Sequence, residues 1–231
     1  MKIEDFGAEL EADLSWRIDE LRRLRNQLYK ADDPTELPAF RKALLVMLYS
    51  HFEGFFKTAS SAYVNAINSA NLVCSEATSR VAASALWDVF EAFETRDRKN
   101  KIFKPILPHD EKLHRFCRRV DLLEGLDGFL SRTVLVPVDD VVDVESNLTP
   151  SVMRKILFQI GLPFDAFSSK DGEVHRLLRY RNDVAHGTRK EGFETKEYSE
   201  IEGAVLEIMQ DLKALLLKAF SERAYARQKA A

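Results

Sequence analysis

Apolar residues return every third or fourth position along most of this 231-residue chain, and that period limits the fold more than any other feature. An α-helix turns about 100° per residue, so such spacing lays one apolar stripe along one helix face. Ile3, Phe6, Leu10, Leu14, Ile18, Leu21, Leu24 and Leu28 form the first stripe and predict a helix over 2–31. "DDPTELP" at 32–38 interrupts it, with prolines where a new helix starts. A second long helix follows to about residue 70, turning Leu44, Leu45, Leu48, Phe52, Phe55, Phe56, Ala59, Tyr63 and Ile67 inward.

Further helices are predicted over 76–94, 109–132, 150–160, 171–186 and 195–228. "NLTPS" supplies Asn147 or Thr149 as a cap with Pro150 in the first turn, and Gly161 and Gly187 stand where helices stop. Nine glycines and seven prolines leave few turns for a many-stranded protein. "TVLVPVDDVVDVESN" is the one strand-like stretch, and Pro137 interrupts it. It reads as an extended connector over 133–147, either plain or carrying a short hairpin. The expected fold is all-α, a single domain over 1–231 with the 1–35 helix packed on it.

The composition narrows the function classes. Hydrophobic residues make up 45% of the chain, enough for a substantial core, and the net charge is −3. No global positive field attracts nucleic acid, so any basic surface must be local. Cys74 and Cys117 lie far apart without metal or redox spacing and read as reduced thiols of a cytoplasmic protein. No signal peptide and no membrane-length apolar run is present. "HDEKLH" places His109 and His114 five apart, off the i, i+4 spacing that a zinc-binding helix needs. No glycine-rich phosphate loop occurs. Neither metal nor cofactor is expected.

The densest polar chemistry is "RYRNDVAHGTR" at 179–189. Arg181 and His186 are five apart, which on an ideal helix separates their side chains by roughly 140°. Asn182 and His186, four apart, share a face. Either Arg181 reaches round to a common ligand, or the arginine is structural and His186 is a cation at a helix C-terminus. Arg176, Arg179, Arg189 and Lys190 surround the motif and would bind phosphate without sequence choice. Asp183 either orients His186 or sits in solvent. "RDRKNKIFK" at 96–104 either extends an RNA path or forms a solvated loop.

"RNDVAHG" resembles the R-x4-H signature of the HEPN superfamily, with the common polar residue at Asn182. "LLVMLYSHFEGFFKTASSAYV" at 44–64 and "VESNLTPSVMRKILFQIGL" at 144–162 resemble the MAE-type subfamily of prokaryotic toxin and defence ribonucleases, in the same order. The resemblance implies a helical bundle that forms a homodimer and cleaves RNA without metal. A base takes the ribose 2′-OH proton and an acid protonates the leaving 5′-oxygen; histidine serves either role near neutral pH. The arginine fork holds two phosphate oxygens. The implied catalytic set is Arg181, Asn182 and His186 from both chains across a two-fold axis.

Glu53, in "HFEG", matches a recurrent acidic position of the subfamily pattern, and either reaches Arg181 or stays solvated. His51 is expected on the opposite, exposed flank. An antitoxin or another defence protein is the implied partner. In family members silenced through a tyrosine two residues after the histidine, that tyrosine is the point of control; here Thr188 stands there. A non-catalytic HEPN module that binds RNA, a nucleotide or a partner protein is the alternative.

Overall fold

The computed structural model describes residues 1–28 and 36–228. It is all-α, with no strand among the described residues. The helices are α1 (Ile3–Leu28), α2 (Leu37–Asn68), α3 (Ser79–Ala85), α4 (Trp87–Glu94), α5 (Glu111–Glu124), α6 (Leu126–Leu130), α7 (Val138–Val141), α8 (Pro150–Gln159), α9 (Asp171–Ala185) and α10 (Thr195–Ser221). The expected chain break at 32–38 lies largely outside the described residues; Pro38 falls in the first turn of α2.

α2 is the axis of the bundle, and α1, α9 and α10 pack around it. All nine residues predicted to turn inward from it are buried. One apolar core runs from Phe6 on α1 to Tyr225 beyond α10. Arg17 of α1 lies over Gly54 of α2, where an added Cβ would lie 2.5 Å from its guanidinium. Asp13, one turn before Arg17, pairs with that guanidinium at 2.9 Å.

Several boundaries differ from the periodicity, each where tertiary contacts intervene. The helix expected over 76–94 breaks at Leu86 because its halves serve different partners. α3 docks on α8, with Ser84 Oγ donating to the Gln159 carbonyl at 2.9 Å, whereas α4 packs on α5. The helix expected over 109–132 divides at Gly125. The 133–147 connector contains no hairpin: Thr133 bridges to Val73, Val136 exchanges hydrogen bonds with the Asn68 side chain, and one helical turn, α7, follows. α10 stops at Ser221 rather than 228. Arg223 turns the chain at φ 52°, and residues 225–227 run back along 76–78, with Arg227 N–H donating to the Glu76 carbonyl at 2.7 Å.

His51 is buried, not exposed. α1 crosses its flank of α2, so Trp16 meets the imidazole edge-on and Glu20 lies 3.0 Å from Nε2. Burial, helped by Arg17, pushes the imidazole below its ordinary value, against the opposing pull of Glu20 and Asp13. The unfolded chain therefore binds a proton at His51 more readily than the folded one. Stability is full above the unfolded value of about 6.5 and falls as pH drops through it. Urea midpoints measured from pH 7.5 to 5.5 should decline in the wild-type protein and decline less in His51→Gln. Parallel declines would place the effect elsewhere.

Candidate functional site

The R-x4-H motif occupies the last turn of α9 and its exit. Gly187, at φ 69°, takes the left-handed conformation that glycine adopts without a Cβ clash. Around it the chain closes a six-to-one bond from Thr188 N–H to the Asp183 carbonyl at 3.0 Å. A five-to-two bond runs from Gly187 N–H to the Val184 carbonyl at 3.1 Å. This ending leaves His186 as the capping residue, with its side chain exposed.

Arg181 faces the other way, toward α2 and the connector. Its guanidinium lies 4.0 Å from the Tyr49 ring centroid. Nη2 donates to Asn147 Oδ1 at 2.5 Å and Nη1 to Asn182 Oδ1 at 2.9 Å, while Nε is buried without a hydrogen-bond partner. Both acceptors are neutral amides. Among the described residues no carboxylate forms an ion pair with Arg181. The cation is thus fixed in direction without being neutralised.

Glu53 sits one turn after Tyr49 on α2 and accepts its phenolic hydrogen bond. Leu148 N–H donates to both the Tyr49 hydroxyl, at 3.0 Å, and the Glu53 carboxylate, at 3.3 Å. Glu53 therefore meets Arg181 through Tyr49. Burial and the bond to Glu53 raise the Tyr49 phenol above its ordinary value, so the hydroxyl keeps its proton and remains a donor.

The flanking cations differ in freedom. Arg176 pairs with Glu200 at 3.3 Å, and Arg189 pairs with Glu197 at 3.5 Å while lying 3.9 Å from the Phe193 ring centroid. Arg179 is exposed beside the Tyr180 ring, and Lys190 is exposed while its carbonyl accepts from Lys42. No group of three or more His, Cys, Asp or Glu that could hold a metal ion occurs among the described residues. No described helix is long and apolar enough to cross a membrane.

Sequence reasoning missed Tyr49 and assigned Asn147 only a capping role. The cap is Thr149, whose side chain accepts from Val152 N–H at 3.2 Å. Tyr49 and Glu53 carried one legible signal, their i, i+4 spacing, which puts them on one helix face. Nothing local to Asn147 points to an arginine 34 residues away.

Residues 6–225 match a protein-family model described as MAE_28990-like HEPN. No curated protein and no solved structure matches the chain.

The helix ending is testable alone. Gly187→Ala should cost about 1 kcal/mol, because alanine resists the left-handed conformation. For a chain of this length that lowers Tm by about 2–4 °C. An unchanged melting curve would mean that the ending does not depend on this glycine.

Proposed function

The chain belongs to the MAE_28990-like HEPN family, a group of nuclease-like or nucleotide-related modules, and we propose that this member is a metal-independent endoribonuclease acting as a homodimer. The observation that carries the reading is the state of Arg181. It is aimed by Tyr49, Asn147 and Asn182, yet among the described residues no carboxylate forms an ion pair with it. A cation fixed in that way suits a phosphate, whose transition state gathers charge on its non-bridging oxygens.

His186 supplies the proton chemistry from the exposed end of the same helix. The ribose 2′-OH gives its proton to a base and its oxygen bonds to phosphorus. The bond from phosphorus to the 5′-oxygen breaks, and an acid protonates that oxygen, leaving a 2′,3′-cyclic phosphate and a free 5′-hydroxyl. One chain offers one motif histidine, whereas a two-fold dimer with apposed motifs offers two, one for each proton transfer. Asn182 holds Arg181, and its amide NH2 is suited to ribose or phosphate. Glu53 acts through Tyr49 as a positioning residue. Arg179 and Lys190 are the flanking cations freest to add phosphate contacts.

In the cell this activity fits a toxin or phage-defence effector working in the cytoplasm and held in check by an antitoxin or another defence protein. Thr188 gives that partner no tyrosine to modify, and its hydroxyl is engaged with the Asp183 carbonyl at 3.1 Å. A second reading takes Arg181 as a structural clasp in a non-catalytic RNA- or nucleotide-binding module; its half-buried, hydrogen-bonded guanidinium favours it.

Arg181→Lys separates the two. The lysine keeps the charge and loses the fork, so RNA cleavage should fall ~100-fold or more with little change in the urea midpoint. A clasp would instead lose stability while any remaining activity tracks the folded fraction. Wild-type cleavage should survive EDTA and yield the cyclic phosphate; activity restored only by magnesium or manganese would refute the mechanism. Expression of the wild type, and not of His186→Ala, should arrest growth.

Mixing tests the shared site. Arg181→Ala and His186→Ala homodimers should each be inactive. If two histidines divide the proton transfers, mixed dimers, with exchange verified by tagged pull-down, should stay inactive. Partial recovery would show that one arginine and one histidine suffice, and a fully active monomer would remove the dimer from the mechanism.

A further inference from the structure

A strong segregation of positive charge lies away from the motif in the sequence. Residues 96–119 carry nine lysines and arginines against three acidic residues, a net of +6, which leaves −9 for the rest of the chain. In space this segment walls a cleft of about 690 Å³ between the end of α4, the 95–110 loop and α5. Arg96, Lys99, Arg115 and Arg119 line it, and all four are exposed. Glu94, Asp97 and Glu111 also reach the cleft, yet among the described residues no carboxylate forms an ion pair with any of the four cations.

The loop that carries half of this charge is built rather than loose. Two buried side chains of α5 tie it down. His114 accepts from the Asn100 amide through Nδ1 at 3.2 Å, so Nε2 holds the proton and donates to the Leu107 carbonyl at 3.1 Å. Arg118 Nε donates to the Phe93 carbonyl at 2.9 Å, and Nη1 to the Arg98 carbonyl at 3.0 Å. These bonds hold the cation-bearing backbone in place before any ligand arrives. Phe116, one turn before Arg119 on the helix surface, stands 60% exposed.

We propose that this cleft is a binding groove for single-stranded RNA, separate from the R-x4-H motif. It deepens the ribonuclease reading and rests on it for the choice of RNA as the polyanion. Unpaired cations along a groove neutralise successive phosphates, and Phe116, exposed on the same helix but outside the cleft lining, gives a base that leaves the groove a stacking surface. A concave wall suits a strand that enters it, whereas a lipid headgroup plane cannot follow it. Arg118 and His114 shape the groove, and the exposed cations bind.

The test measures binding without turnover. The wild-type full chain is titrated into a fluorescein-labelled 2′-O-methyl RNA of ~15 nucleotides, long enough for a groove of this kind and lacking the nucleophile that cleavage needs. Lys99→Gln/Arg115→Gln/Arg119→Gln, which leaves Arg118 and His114 intact, should bind at least ~10-fold more weakly. The slope of log affinity against log salt should flatten by about 2, since each phosphate that a single strand presents to a cation adds about 0.7 to it. Its circular dichroism should be unchanged, and Phe116→Ala should weaken binding further. Equal affinity and slope in the triple variant overturn the groove, as does absence of RNA binding by the wild type. Preference for phosphatidylserine vesicles over RNA also overturns it, in favour of a membrane surface. The two readings fail separately: groove-dependent binding without any RNA cleavage sinks the enzyme alone, and undiminished binding and cleavage by the triple variant sink the groove alone.

Discussion

The encirclement of α2 is the constraint from which the rest of the molecule follows. A helix wrapped by α1, α9 and α10 must be apolar on more than one face, and its buried apolar residues run from Leu44 to Ile67 at closer than single-stripe spacing. Wrapping fixes where each surrounding helix lies and leaves the flank that carries Tyr49 and Glu53 facing α9 and the connector. The buried Leu148 amide locks that flank by bonding both residues. Arg181 is then aimed by residues that the core itself immobilises, which is why an arginine on a helix near its end has a defined direction.

Several partly buried arginines are neutralised by acids, Arg17 by Asp13, Arg154 by Asp171 and Arg25 by Glu202, whereas Arg41 and Arg118 donate to backbone carbonyls. Removing a charge from water is costly unless it is paired, and those pairs follow the rule. Arg181 departs from it. An aromatic face and two amide oxygens offset part of the desolvation without cancelling the charge, since a cation over a desolvated ring gains about 2 kcal/mol. Such an arrangement is less stable than an ion pair and more useful toward an anion. Arg176 and Arg189, which have carboxylate partners, lack that quality.

The long helices were legible because burial of one stripe repeats at the helix period, and the ends at Thr149 and Gly187 were legible because capping is local chemistry. What escaped was settled by residues distant in the chain. The break at Leu86 arises because α8 and α5 draw neighbouring turns apart, and the chain reversal after Ser221 is set by pairing with 76–78. His51 reads as a polar residue on an open flank until α1 is laid across it. Of the site, Arg181, Asn182 and His186 stand out as a motif. Tyr49 and Asn147 belong to it only through folding, since neither type nor spacing ties them to an arginine far along the sequence.

Two positive regions on an acidic chain pose a question of range. At physiological ionic strength charges between exposed groups are screened over about 8 Å, so a cation acts on a phosphate mainly at close range. On the proposed readings each region would hold phosphate through its own cations, with neutral acceptors around Arg181 and, among the described residues, no ion pairs to Arg96, Lys99, Arg115 and Arg119. They also differ in origin. The motif lies at the join of α9 and the bundle axis, whereas the cleft belongs to the α4–α5 segment, which meets the core through α3 and α8. Substitutions in one therefore leave the packing of the other untouched. On the proposed readings a strand gripped at the cleft would raise its own local concentration at the motif, and affinity and chemistry would fall to separate parts of the chain.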